Sequence, residues 1–310
     1  MTGQALPAGS PWHQPLDLYH HEVGDPTARP TVLLVGLGMQ AIEWPPAFIN
    51  SLVQTRRVIC IDTRDAGKSP RCGPDGEPSV ADVWLKGDLP NALRMAPYSL
   101  FDMRDDVLAL LDRLKIDGFD LVGFSMGGMI GQLVAAAGGS RVGKFVQLGS
   151  NDGTTDVDGT REAMRRMARL FCVPDDPGKT QDYLLDDALA YGAGRLQDTP
   201  DLRADIKEIV TRGYAFGGSA RHALAVQTTP NRQHLLQTIV ARTLVLHGGR
   251  DPCISAKRGR GAAAVIPNAQ FKLLPMVGHI LDDDMCALAA HWLQSDPEGS
   301  QTMGEQHGMA

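Results

Sequence analysis

Residues 120–137 read DLVGFSMGGMIGQLVAAA, and the fold follows from how this stretch divides. Asp120 to Phe124 is an apolar run of strand length. Met129, Ile130, Leu133, Val134 and Ala137 then recur at the three- and four-residue steps of one helix face. Between the two stands Gly123-Phe124-Ser125-Met126-Gly127, a strand, a sharp turn and a helix start in one pentapeptide. In that context G-x-S-x-G lifts a serine hydroxyl out of a sheet on a strained turn. The flanking glycines keep bulky side chains away from the turn, and the helix presents its positive end to the hydroxyl. In a chain with 34 glycines the pentapeptide alone also fits an ordinary strand-to-helix turn, so its weight rests on partners elsewhere.

Working outward, TVLLVGLG (31–38) and RRVICIDTR (56–64) precede this stretch as buried strands, with LDLYHHEVG (16–24) as an outer one. Ser99 and Asp102 form a capping pair that opens a helix with Met103, Val107, Leu110, Leu111 and Leu114 on its inner face. KFVQLGS (144–150) follows as another buried strand. This alternation predicts a mostly parallel sheet flanked by helices on both faces. Residues 70–98, rich in Pro, Gly and Asp, read as a long rim loop with one short helix near Trp84. From 151 to 236 no strand pattern occurs and three or four helical patterns do, so this segment reads as a helical cap inserted late in the chain. Strands resume at RTLVLHGG (242–249) and FKLLP (271–275), and a last helix covers 284–294. The expected organisation is a core of 16–150 and 237–294, a cap of 151–236, and flexible termini at 1–15 and 295–310.

Composition narrows the function classes. The 310 residues are 43% hydrophobic and 21% charged, as in ordinary globular proteins. A net charge of −6 speaks against a general affinity for nucleic acid or anionic membrane. Five widely spaced cysteines without a C-x-x-C pair suggest reduced thiols. The N-terminal MTGQALPAGSPWHQP shows neither a basic nor an apolar signal region, and no apolar run is long enough to span a bilayer. A cytoplasmic location is the expectation.

A serine hydroxyl needs a positioned base, and the base an orienting acid. His279 follows the last strand and Asp251 the strand before it. In a parallel sheet both loops open on the same carboxyl edge as Ser125, so the three converge despite their separation. Asp152, after the strand at 144–150, is the alternative acid. Donors for an oxyanion are expected from the backbone N–H of Met126, first in the elbow helix, and of Leu37, between Gly36 and Gly38. His222 and His247 read as locally satisfied side chains, no residues have metal-ligand spacing, and no cofactor is implied.

With these residues in view, the chain from about 16 to 294 resembles the α/β-hydrolase superfamily, and within it the group of aclacinomycin methylesterase and related bacterial esterases. The resemblance rests on GLGMQAIEWP, IDTRDAGKS, APYSLFDMRDDVLALLDRL, LVGFSMGGMIGQ, RGYAFGGSARHALAV, TLVLHGGRDP and IPNAQFKLLPMVGHIL. It implies Ser125 as nucleophile, His279 as base, Asp251 as orienting acid, and Leu37 and Met126 as oxyanion donors. Val35 stands where such loops usually carry a histidine, and Gly138-Gly139-Ser140 where the group has a histidine–proline pair. Dehalogenases and epoxide hydrolases of this fold attack with aspartate, whereas position 125 is serine.

The expected activity is therefore carboxylic ester hydrolysis through an acyl-enzyme on a small, neutral or hydrophobic ester. A cofactor-free perhydrolase (haloperoxidase) and a polyketide-tailoring hydrolase of C–C bonds or methyl esters are alternatives on the same residues. A ligand receptor without turnover is a third. Substrate contacts are expected from Trp44, Tyr214, Phe171 and Met164.

Overall fold

The computed structural model describes residues 11–74, 78–155, 158–174, 176 and 178–295. Seven strands form one sheet: β1 (His20–Val23), β2 (Arg29–Leu34), β3 (Arg56–Ile61), β4 (Phe119–Phe124), β5 (Val142–Leu148), β6 (Arg242–Gly248) and β7 (Gln270–Leu274). Their spatial order is β1-β3-β2-β4-β5-β6-β7. Only β1 runs antiparallel, against β3; the other six are parallel. The strand carrying the serine is thus central, and the two expected to supply acid and base sit at one side of it.

Alternate side chains along each strand serve opposite faces. Val32 and Leu34 of β2 join one apolar cluster with helices α4 (Leu100–Arg113) and α5 (Met126–Gly138), while Leu33 and Val35 join another with α1 (Pro46–Leu52) and α12 (Asp283–Gln294). Both faces are therefore dry, which explains strands that read as unbroken apolar runs. The N-terminus of α4 carries the expected reciprocal cap: the Ser99 amide and hydroxyl both donate to Asp102 Oδ2, at 2.7 and 2.8 Å.

A third, all-helical layer gathers α2 (Pro78–Lys86), α3 (Leu89–Met95), α6 (Arg161–Arg169) and α9 (Phe216–Thr228) around Val80, Val83, Ala92, Phe171, Ala220 and Leu224. Residues 70–98 thus hold two helices rather than a loop with one. Pro78 and Pro90 fall in the first turns, where a missing N–H costs nothing, and Asp88 caps α3 through the Asn91 amide. The segment between β5 and β6 contains α6, α7 (Lys179–Tyr191), α8 (Pro200–Thr211), α9 and the short α10 (Gln233–Leu236), which packs on α5. Helix α11 (Ala256–Val265) joins β6 to β7. No helix among the described residues is long and apolar enough to cross a membrane.

Candidate active site

Ser125 occupies the turn between β4 and α5 with φ +53° and ψ −119°, a conformation that L-residues rarely adopt. The neighbourhood over-determines it. The Ser125 amide donates to Leu148 O on β5 at 2.9 Å, and its carbonyl accepts from Gly128 N at 3.0 Å and from the Ser150 hydroxyl at 2.7 Å. The flanking glycines are required by close approach: a Cβ on Gly123 would lie 2.3 Å from Gly127 O, and one on Gly127 would lie 2.1 Å from Leu34 O.

His279, in the loop after β7, places Nε2 2.9 Å from Ser125 Oγ and Nδ1 2.7 Å from Asp251 Oδ2. Its own amide donates to Tyr191 O at the end of α7, 2.8 Å away. A Cβ on Gly278 would lie 1.9 Å from that same carbonyl, so the helix end and the loop meet backbone to backbone. The ring also packs on Phe124, centroids 5.0 Å apart.

Asp251, in the loop after β6, is fully saturated. Oδ1 accepts the amides of Cys253 and Ile254, both at 2.8 Å, and Oδ2 faces His279. His247 Nε2 adds a contact at 3.3 Å to Oδ2 while bonding Ile254 O at 2.8 Å. Burial opposes ionisation here, but the charge of His279 and the bonds from both histidines outweigh it and hold the carboxyl well below the usual range. Asp152 faces elsewhere, accepting from the Thr154 amide and hydroxyl and from Arg258. The thiol of Cys253 lies with Asp251 and His279 in a set whose ligand atoms fall within 4.8 Å of one another, a grouping that sequence spacing did not reveal.

Leu37 and Met126 border the space in front of Ser125. Neither amide has a hydrogen-bond partner among the described residues. The neighbouring Gly38 amide is occupied, donating to His222 Nδ1 at 3.1 Å.

The cavity before the serine has a volume of about 70 Å³. Met164 lines it, but Trp44, Tyr214 and Phe171 do not. Trp44 is buried against Phe48, on the sheet face that α1 and α12 cover. Tyr214 stacks on Phe216 and receives the Ser219 hydroxyl at 3.1 Å. Phe171 is wholly buried edge-on to Trp84. Trp44 packs between the sheet and its covering helices, and Phe171 among the helices of the third layer. Trp84 from α2 takes a wall position, together with Met129 and Met167. The remaining wall is more polar than expected: Asn151, Thr154, Asp158 and Thr155 after β5, Gln227 on α9, and Arg258, whose Nε donates to Asp158 at 3.0 Å.

The sequence matches the family model described as the alpha/beta hydrolase fold over residues 30–283. The chain belongs to that family. Its similarity to the aclacinomycin methylesterase group is borne out by relatives. A rhodomycin D methylesterase of Streptomyces peucetius is 26% identical over 286 residues, covering 85% of this chain and 89% of that protein. A second rhodomycin D methylesterase, from another Streptomyces, matches at the same identity and coverage. Among solved structures, an enol-lactonase from Burkholderia xenovorans superposes with a TM-score of 0.67 at 22% identity, over 89% of this chain and 94% of that one. An esterase from a Rhodococcus gives 0.66 at 22%, over 90% and 94%.

Within the alpha/beta hydrolase frame, His247 is a satisfied residue of a buried strand, as expected, while sequence reasoning gave His222 no part in the site. Both are fully buried, His222 on α9 and His247 at the end of β6. A signal for His222 was present, since it lies in one of the shared stretches.

Proposed function

We propose that this chain is a serine hydrolase that cleaves a carboxylic ester through an acyl-enzyme. The observation that carries the reading is the unbroken relay Ser125 Oγ to His279 Nε2, 2.9 Å, and His279 Nδ1 to Asp251 Oδ2, 2.7 Å. Asp251, ionised and held by two amides, keeps the proton of His279 on Nδ1, so that Nε2 presents its lone pair to the serine. His279 takes the hydroxyl proton as Ser125 attacks the ester carbonyl. The negative oxygen that forms is received by the Leu37 and Met126 amides, the second of them at the positive end of α5. Collapse returns the proton from His279 to the departing alkoxide and leaves the acyl group on Ser125. Water, deprotonated by His279, then discharges it.

The kinship with methylesterases supports an ester over an amide, and the cavity bears on which end is enclosed. The space of about 70 Å³ gives room for a methoxy or short acyl group. The rest of a larger substrate enters by displacing the walls that α2 and α6 supply. The chain thereby acts on a small-molecule ester with one short arm and needs no cofactor for the steps above.

The test compares native protein with Ser125→Ala, His279→Ala and Asp251→Asn on p-nitrophenyl acetate, butyrate, octanoate and laurate. The first two variants should lose about 10⁴- to 10⁶-fold in kcat, and Asp251→Asn about 10⁴-fold. Retention of activity in Ser125→Ala would end the acyl-enzyme reading. Unchanged activity in Asp251→Asn would remove that residue from the relay.

A further inference from the structure

One fully buried side chain of helix α9 grips the loop that carries Leu37. His222 Nδ1 receives the Gly38 amide at 3.1 Å, and Nε2 lies 2.6 Å from Arg64 O. The partners dictate the tautomer: a backbone amide can only donate and a carbonyl can only accept, so the proton sits on Nε2 and the lone pair on Nδ1.

We infer that His222 is a positioning residue for the oxyanion site, fixing the Gly38 peptide so that the Leu37 amide stays turned to meet the negative oxygen beside that of Met126. The inference rests on the acyl-enzyme reading above and extends it to a residue that never touches substrate.

Three observations converge on it. The turn at 36–39 is tight, closed by Met39 N to Gly36 O at 3.2 Å with Gly38 at φ +70°. Glycine at a turn of this kind gives the peptide freedom to rotate, and an acceptor on its N–H removes that freedom. The helix packs directly on the turn: a Cβ on Gly38 would meet the Ser219 hydroxyl at 2.4 Å. The same helix is itself anchored to the next loop of the sheet edge. Arg221 makes a bidentate pair with Asp65, 2.9 and 2.7 Å, and a Cβ on Gly218 would strike Asp65 O at 2.1 Å. His222 is therefore held at both ring nitrogens between two loops that are 26 residues apart in sequence, from Gly38 to Arg64. Burial lowers its pKa to about 4, so the ring stays neutral and Nδ1 remains an acceptor under ordinary assay conditions.

Two substitutions separate the ring's two bonds. His222→Asn places an amide oxygen near the Nδ1 position and keeps the acceptor for Gly38. His222→Gln reaches toward the Nε2 position, keeps a donor for Arg64 O and leaves the Gly38 amide without a partner. Both are measured with p-nitrophenyl butyrate beside native protein and Ser125→Ala, together with Tm and inhibition by a trifluoromethyl ketone, whose adduct carries an oxyanion. His222→Gln should lose about 10-fold or more in kcat with KM nearly unchanged, and should bind the ketone more weakly by the same factor. His222→Asn should recover most of both.

Equal losses in the two variants, or a loss that follows Tm and spares ketone affinity, would overturn the assignment and leave His222 as packing. Activity retained by Ser125→Ala would instead remove the acyl-enzyme reading, a separate failure. Should both His222 variants fail to fold, nitrogen-15 NMR of the native protein decides. A protonated Nε2, a bare Nδ1 and a slowly exchanging Gly38 amide support the role; the opposite tautomer refutes it.

Discussion

Replacing Gly127 with alanine should separate the two proposed oxyanion donors without touching Ser125, His279 or Asp251. The added Cβ would stand 2.1 Å from Leu34 O and 2.5 Å from both Leu34 C and Val35 O. Ordinary contact begins near 3.4 Å, so helix and strand must part by more than 1 Å. All three obstructing atoms are backbone, and no rotamer change relieves them. The helix that must move begins at Met126, and the strand end that must move leads directly into Gly36 and Leu37. On the proposed mechanism both donors are displaced, and a misplacement of about 1 Å costs about 10²-fold in rate. Because these donors act mainly on the transition state, kcat should carry the loss and KM little of it. Overpacking should lower stability by about 1–3 kcal/mol. The assay is p-nitrophenyl butyrate hydrolysis beside urea unfolding, with Gly118→Ala as control, since a Cβ there has no neighbour closer than 4.0 Å. A folded Gly127→Ala protein with kcat within threefold of native would refute the placement of the oxyanion site between α5 and the β2 loop.

Three further outcomes follow from other parts of the molecule. Trp84→Ala removes a cavity wall, so kcat/KM for octanoate over butyrate should rise about 10-fold; an unchanged ratio would take Trp84 out of the substrate's path. Asp106→Asn leaves Arg64, at 0% side-chain exposure and bonded bidentately to Asp106, with an uncompensated buried charge. That should cost about 3–5 kcal/mol in urea unfolding, and a loss below 1 kcal/mol would show the charge to be neutralised elsewhere. Glu43 is held above its usual pKa, at about 7, chiefly by burial, against the Gln40 amide that it accepts at 2.6 Å. An acid whose folded pKa is raised favours the folded state most while both states are protonated, and that contribution is lost as pH climbs from about 4.5 to about 7. Glu43→Gln should abolish this decline, read as urea midpoints at pH 5 and pH 8, whereas parallel pH profiles would refute it.

What the sequence disclosed and what it hid divide along physical lines. The elbow was legible because a strained serine demands small neighbours, and Gly123 and Gly127 do face backbone at 2.3 and 2.1 Å. Asp251 and His279 were legible because parallel strands deliver their following loops to one edge. Helices α2 and α3 were hidden by their own start signals. Pro78, Asp88 and Pro90 resemble loop composition until one asks whether each sits at a cap or first turn. Helix α9 was hidden differently. It is buried on nearly every side and opens with Gly217 and Gly218, so neither amphipathic period nor propensity marks it. The cavity wall was the least legible part. Whether Trp84 or Trp44 faces the serine depends on how helices from distant segments stack, and aromatic identity carries no such information.

The concealment of α9 bears on how the site is assembled. Ser125, His279 and Asp251 are held by elements of the sheet, and the Tyr191 carbonyl adds a support under the His279 amide. The loop of Leu37 is held by α9, which reaches it through His222 and reaches the loop after β3 through Arg221 and Gly218. Arg212, just before α9, adds a second tie across the same pair of loops, bonding Asp62 and Gln40 at 2.6 Å each. On the proposed mechanism, the relay that makes the nucleophile and the donors that receive the oxyanion thus depend on different helices. Damage to α9 should therefore leave the Ser125–His279 pair intact and slow the step in which negative charge appears, while damage to α7 should disturb the base first. The stretches RGYAFGGSARHALAV, GLGMQ and IDTRDAGKS are thus three sides of one contact.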